Sequence, residues 1–135
     1  IATRRIEKEL IPVCREYGIS IQAYSPLEQG LLTGKFTMET VFPEGDVRNN
    51  NPSFRPERRK KILNVLDGWK KYTEKYQCSN ANLVIAFTAN LIDSLHILAG
   101  ARKPEQIEDN TGALAVDLEE SDIEQMKKDI EILNE

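Results

Sequence analysis

The sequence predicts an α/β domain, and three observations carry that prediction. An apolar helical period ends at Gly18 and is followed at once by a short β-branched and aromatic run over 19–24. A second β-compatible run, 95–99, stops at Gly100 and leads into a helix opened by Pro104. The composition is that of a folded domain, with 40% hydrophobic and 30% charged residues, 7 Gly and 6 Pro in 135 positions. Low-complexity, collagen-like and disordered chains are thereby excluded. Lys and Arg number 18 against 22 Asp and Glu, so the net charge is -4. No basic field exists to hold nucleic acid unaided, and the surface suits a small-molecule or protein partner.

Taken in order, Ile6, Leu10, Val13, Cys14 and Tyr17 fall on one helical face, with Gly18 placed to end the helix. Pro12 leaves two options, a kink at that point or a regular helix that begins there. The run 19–24 then reads as a strand that stops at Ser25-Pro26. From Leu27 to Phe54 there is no sustained period, and Gly30, Gly34, Gly45, Pro43, Pro52 and three consecutive asparagines punctuate the segment. A loop of this length in a compact domain is either functional or disordered.

Between Pro56 and Tyr76, Ile62, Val65, Leu66, Trp69, Tyr72 and Tyr76 line one face of a long amphipathic helix. The basic run 58–61 reads as a solvated face, and Tyr72 and Tyr76 as core or rim aromatics. Ser79 can cap a helix running from Asn80 to about Leu91, with Leu83, Val84, Ala86, Phe87 and Leu91 inward. The second strand, 95–99, and the Pro104 helix follow. Ser121-Asp122-Ile123-Glu124 reads as a capping box opening a last helix that turns Ile123, Met126, Ile130 and Leu133 inward. Residues 1–135 show no linker and form part of one domain. No apolar run is long enough for a membrane helix; the longest is Leu83 to Phe87. Cys14 and Cys78 are far apart and lack metal-ligand spacing, which fits a reducing cytoplasm and no metal site. The chain opens on Ile1 with a charged segment, and a cut end is expected there.

The two strand exits share a chemistry. After the first come Ser25, Pro26, Leu27, Gln29, Gly30 and Lys35, in which glycine permits close backbone approach and hydroxyl and ammonium groups are on hand. After the second come Gly100, Ala101, Arg102, Lys103 and the N-terminus of the Pro104 helix, the ingredients of an anion site. Either loop alone reads as a turn. On successive parallel strands they point to phosphate.

The segments 9–19, 23–27, 30–35 and 100–110 together resemble the C-terminal part of an aldo-keto reductase, in family order over nearly the whole chain. The resemblance implies a (β/α)8 barrel represented here by its C-terminal part, about two strands plus helices. At 135 residues the chain is well short of the roughly 250 that a closed barrel uses. It implies an NADP(H)-dependent oxidoreductase that reduces aldehyde or ketone carbonyls, with this chain supplying the cofactor loops after strands seven and eight. In that reading Tyr24 stacks on the nicotinamide, and Ser25, Pro26, Leu27, Gln29 and Gly30 wrap the pyrophosphate. Lys35 and Arg48 reach over the cofactor, Gly100, Ala101 and Arg102 hold its 2′-phosphate, and Gln106, Asp109 and Asn110 hold the adenosine. A guanidinium at Arg102 suits phosphate because its planar fork pairs with two oxygens at once. Asp109 departs from the family's usual glutamate, and Ala99 stands where proline is common.

The resemblance places the proton-donating tyrosine, its lysine and aspartate, and the histidine that orients the carbonyl on earlier strands, in sequence this chain does not contain. No catalytic residue is therefore assigned, and His96 reads as a packed or surface histidine. The expected partners are a small-molecule carbonyl compound and the N-terminal part of the barrel. The competing readings are a half-barrel that binds NADP(H) or another protein without chemistry, and a helical interaction domain.

Overall fold

The computed structural model describes residues 5–92 and 94–134; the opening positions Ile1 to Arg4, to which the expected cut end belongs, lie outside them. The elements are α1 (Leu10–Glu16), β1 (Ile21–Tyr24), α2 (Pro56–Gly68), α3 (Lys70–Lys75), α4 (Asn80–Ala89), β2 (Leu95–Leu98), α5 (Pro104–Thr111) and α6 (Glu120–Asp129), with short 3-10 turns between them. The strands pair in parallel, Ile21 opposite Leu95 and Tyr24 opposite Leu98. An α/β arrangement is thus present, with helices supplying the crossover that parallel strands need.

Pro12 lies inside the first turn of α1, where its missing N–H costs no helical bond. The helix ends as the glycine predicts. Gly18 takes φ +64, its amide donates to the Arg15 carbonyl at 3.3 Å, and the Ile19 amide donates to the Cys14 carbonyl at 2.8 Å. These are the two bonds of a Schellman motif. The predicted inward face is largely wrong. Ile11 and Cys14 are buried, whereas Ile6, Leu10, Val13 and Tyr17 are exposed. The helix contacts the rest of the chain along a narrower stripe than its apolar pattern could cover.

Both strands alternate. Ile21, Ala23, Leu95 and Ile97 are half-buried, and Gln22, Tyr24, His96 and Leu98 face solvent. The main core lies elsewhere, among α2, α3, α4, α6 and the 3-10 turn Glu28–Thr33. It is built on Leu31, Leu32, Ile62, Trp69, Leu83, Phe87, Met126 and Ile130, and no strand residue joins it. In α4 every side chain from Ala81 to Thr88 is buried, so this helix has no polar face. It starts as predicted. The Ser79 hydroxyl accepts the Asn82 amide at 3.1 Å, and the Asn82 side chain accepts the Ser79 amide at 3.3 Å.

Three expectations are corrected. The long helix over 56–76 is broken between α2 and α3, where Gly68 ends the first part and Trp69 turns inward. There Trp69 meets the Phe87 ring edge-on at 5.3 Å, and its indole N–H donates to Asp129 at 3.1 Å. The basic run 58–61 is not uniformly solvated, because Arg59 is buried. Its guanidinium donates to the carbonyls of Thr40, at 3.0 Å, and Thr37. Finally, Ser121 does not cap the last helix; the N-cap is Glu119, without a side-chain capping bond. The start is fixed from outside, since the Glu119 amide donates to the Tyr76 hydroxyl and Lys75 bridges the carboxylates of Glu119 and Asp122 at 2.9 and 2.8 Å.

The segment 27–54 is ordered by side chains far apart in sequence. Phe36, Phe42 and Phe54 form an edge-to-face trio with centroids 5.2 to 5.9 Å apart. Short 3-10 turns, Val47–Asn50 and Pro52–Phe54, carry the chain back to α2.

Candidate functional site

A cleft of about 800 Å3 opens where the exits of both strands meet α5. The loop after β1 contributes Ser25, Pro26, Leu27, Gln29, Gly30, Thr33 and Lys35. The long loop brings Asp46, Val47 and Arg48 to it, and the exit of β2 adds Gly100, Ala101 and Arg102. From α5 come Gln106, Asp109 and Asn110, and from α4 Ala81. Every residue assigned to the cofactor from the sequence therefore lines this one cleft except Tyr24. That residue ends β1 with an 81% exposed side chain on the sheet's open face.

The wall after β1 is a chain reversal in unusual backbone geometry. Ser25, Glu28 and Gln29 take φ of 52, 46 and 53, and Gly30 follows at 89. Side-chain-bearing residues held there cost free energy, so the surroundings must fix them. Asn51 does so from the far end of the loop. Its side-chain amide nitrogen donates to the side chains of Glu28 at 2.9 Å and Gln29 at 3.3 Å, while its side-chain oxygen accepts the Ser53 amide at 2.9 Å. At Gly30 a Cβ would stand 3.0 Å from the end of the Lys35 side chain, so glycine lets the ammonium lie against the turn.

Opposite, Arg48 is locked. Its Nε and Nη2 donate to the two oxygens of Asp46 at 2.8 and 2.5 Å, and its guanidinium lies 4.2 Å from the Phe42 centroid. Hydrogen bonds from the Arg48 side chain and backbone amide, with the charges of Arg48 and Arg102 adding, hold the Asp46 carboxyl down to about 2.

On the third wall, the Arg102 amide donates to Gln106 Oε1 at 2.7 Å, which shapes the turn into α5. The Asp109 carboxylate accepts a hydrogen bond from the Ser79 hydroxyl at 3.2 Å, and the backbone carbonyl of Asp109 accepts one from the Asn82 side-chain nitrogen. Gln106 and Asp109 thus have structural bonds of their own. Asn110 differs, because its amide nitrogen is buried beside the cleft with no hydrogen-bond partner. Such a donor is costly unless something accepts from it, and it suits a ligand rich in acceptors. The lining carries Lys35, Arg48 and Arg102 against Asp46 and Asp109, a balance that favours an anion.

Sequence reasoning missed Asp46, Asn51 and Thr33. Asp46 could have been found from its spacing, two residues before an arginine in an Asx turn, and Asn51 from its position as cap to Pro52. Among the described residues no group of His, Cys, Asp and Glu is arranged to hold a metal, and His96 is exposed on the sheet.

Parallel strands, a helical crossover and a cleft outside the strands' carboxyl ends define an α/β fold with a candidate ligand site where such folds carry one. Comparison with known proteins then identifies the lineage: the profile of the Aldo/keto reductase family matches residues 1–131, and the chain belongs to that family. It is 40% identical over 133 residues to an NADH-specific methylglyoxal reductase of Escherichia coli, covering 98% of this chain and 40% of that protein. An aldo-keto reductase of Schizosaccharomyces pombe whose name specifies NADP(+) is 29% identical, over 92% of this chain and 36% of its own length. Among solved structures, a glycerol dehydrogenase of Gluconobacter oxydans superposes with a TM-score of 0.86 at 29% identity, over 95% of this chain and 39% of that one. The chain therefore spans about 40% of the length of the relatives it matches.

Proposed function

We propose that this chain is the C-terminal, cofactor-holding part of a (β/α)8 aldo-keto reductase that reduces aldehyde or ketone carbonyls with NADP(H). The observation that carries the reading is the single cleft that unites the loop after β1, the long loop and the exit of β2 into α5. Its partly cationic lining and the unpaired Asn110 amide fit a large anionic ligand rich in acceptors. In this reading the turn Ser25 to Gly30 takes the pyrophosphate, Lys35 and Arg48 cover it, Arg102 pairs with the 2′-phosphate, and Gln106, Asp109 and Asn110 border the adenosine. Tyr24, at the end of β1, offers its exposed ring as a platform for the nicotinamide. The bound nicotinamide supplies the hydride. The residues of this chain bind and orient, and the proton-delivering groups belong to the remaining part of the barrel, which is its structural partner. The reading includes a reducing cytoplasm, where the buried Cys14 and half-buried Cys78 stay free thiols.

Arg102→Ala tests the assignment in the intact protein by calorimetric titration with each dinucleotide. Loss of one charge-assisted pair predicts NADPH binding weaker by about 1.5–3 kcal/mol, with NADH little affected. Equal losses for the two cofactors would remove the 2′-phosphate from Arg102.

A further inference from the structure

The three cations of the cleft are not equally free. Arg48 gives two side-chain donors to Asp46, and its backbone amide donates to the same carboxylate at 2.9 Å. Both side chains are largely shielded, 25% exposed for Arg48 and 17% for Asp46, and the guanidinium lies 5.3 and 4.2 Å from the centroids of the Phe36 and Phe42 rings. Arg102 lines the same cleft, and its charge acts on Asp46. Asp46 is thus bonded to Arg48 and shares the cleft with Arg102.

Accepting the cleft as a dinucleotide site, on which this inference rests, we propose that Asp46 is its specificity-determining residue. Its carboxylate shares the cleft with Arg102 and opposes an incoming 2′-phosphate there, and so sets the balance between phosphorylated and unphosphorylated dinucleotides. The physical reason is charge. A 2′-phosphate brings further negative charge to a cleft that already holds a fixed carboxylate, and like charges facing each other across a binding site are a means of rejection. A ribose 2′-hydroxyl brings no charge and meets no such repulsion. Arg102 thus attracts the phosphate while Asp46 opposes it, and the cleft discriminates weakly between the two cofactors.

The test is calorimetric titration of the intact protein with NADPH and with NADH, for the unsubstituted protein, Asp46→Asn and Asp46→Glu. Asparagine keeps the shape and can still accept from the Arg48 amide, but it removes the charge. It is expected to shift the ratio of dissociation constants toward NADPH by about tenfold, the change a single partly screened charge contact makes. Glutamate keeps the charge and is expected to keep the original ratio. An unchanged ratio in Asp46→Asn overturns the inference while leaving the dinucleotide site standing. Parallel weakening of both cofactors in both variants also overturns it, because it would mark Asp46 as a loop support only. If neither dinucleotide binds the unsubstituted protein, the reading of the cleft falls and this inference with it.

Discussion

Arg59 has the least expected placement of any single residue in the chain. Its three basic neighbours in the sequence suggest solvent, yet its guanidinium is inside, bonded to two carbonyls of the loop that also carries Lys35 and Arg48, and 5.7 Å from the Phe42 centroid. Arg59→Met keeps the stem volume and removes the donors, taking the guanidinium bond from the Thr40 carbonyl and leaving the Thr37 carbonyl only the Thr40 amide at 3.3 Å. The expected loss is roughly 2 kcal/mol in urea unfolding, accompanied by weaker dinucleotide binding because the loop is no longer tied to α2. A change below about 0.5 kcal/mol, typical of surface positions, would return Arg59 to the solvated face that its sequence suggests. Run composition could not separate Arg59 from its neighbours, since its partners lie 19 and 22 positions away. Asp46 and Asn51 did carry local signals, an Asx turn before Arg48 and a cap to Pro52, but the bonds of Asn51 to Glu28 and Gln29 span 23 and 22 positions and come only with the fold.

At the scale of elements, helix ends show what local sequence can and cannot decide. Ser79 and Ser121 carry similar signals, but only Ser79 caps its helix. Ser79→Ala is accordingly expected to cost about 1 kcal/mol, whereas Ser121→Ala should be nearly neutral in the same thermal unfolding assay. Comparable losses at both sites would mean that the Ser121 hydroxyl does bond the helix N-terminus. The strands and the end of α1 were legible because their signals are short-range: β-compatible runs, Gly18 placed to end the helix, and Ser25-Pro26 after the first strand. The inward face of α1 and the break at Trp69 were not, because they depend on which neighbours are there to pack against. For the cleft, the residue types at both strand exits were readable, and the resemblance supplied their grouping. That the carboxylate paired with Arg48 lines the cleft was visible only once the loop had folded.

Across the whole molecule the apolar surface is unevenly covered. The helical core is closed, but the open face of the two-stranded sheet shows Tyr24 and Leu98, and α1 shows Leu10, Val13 and Tyr17. Parallel strands are ordinarily covered on both faces, and an uncovered strand edge pairs readily with another chain. The 135-residue chain on its own is therefore expected to self-associate, with weight-average mass rising with concentration in sedimentation equilibrium. A concentration-independent monomer at 15.4 kDa would show that these surfaces are tolerated as they stand. The division between core and sheet also has a consequence in time. Since α4 is enclosed on every side, its amides can meet the solvent only when the packed helices around it come apart, whereas the strands need no more than a local excursion. Deuterium entering α4 would time the opening of the entire helical cluster, and deuterium entering β1 and β2 would time the breathing of the surface on which the rest of the barrel is proposed to rest.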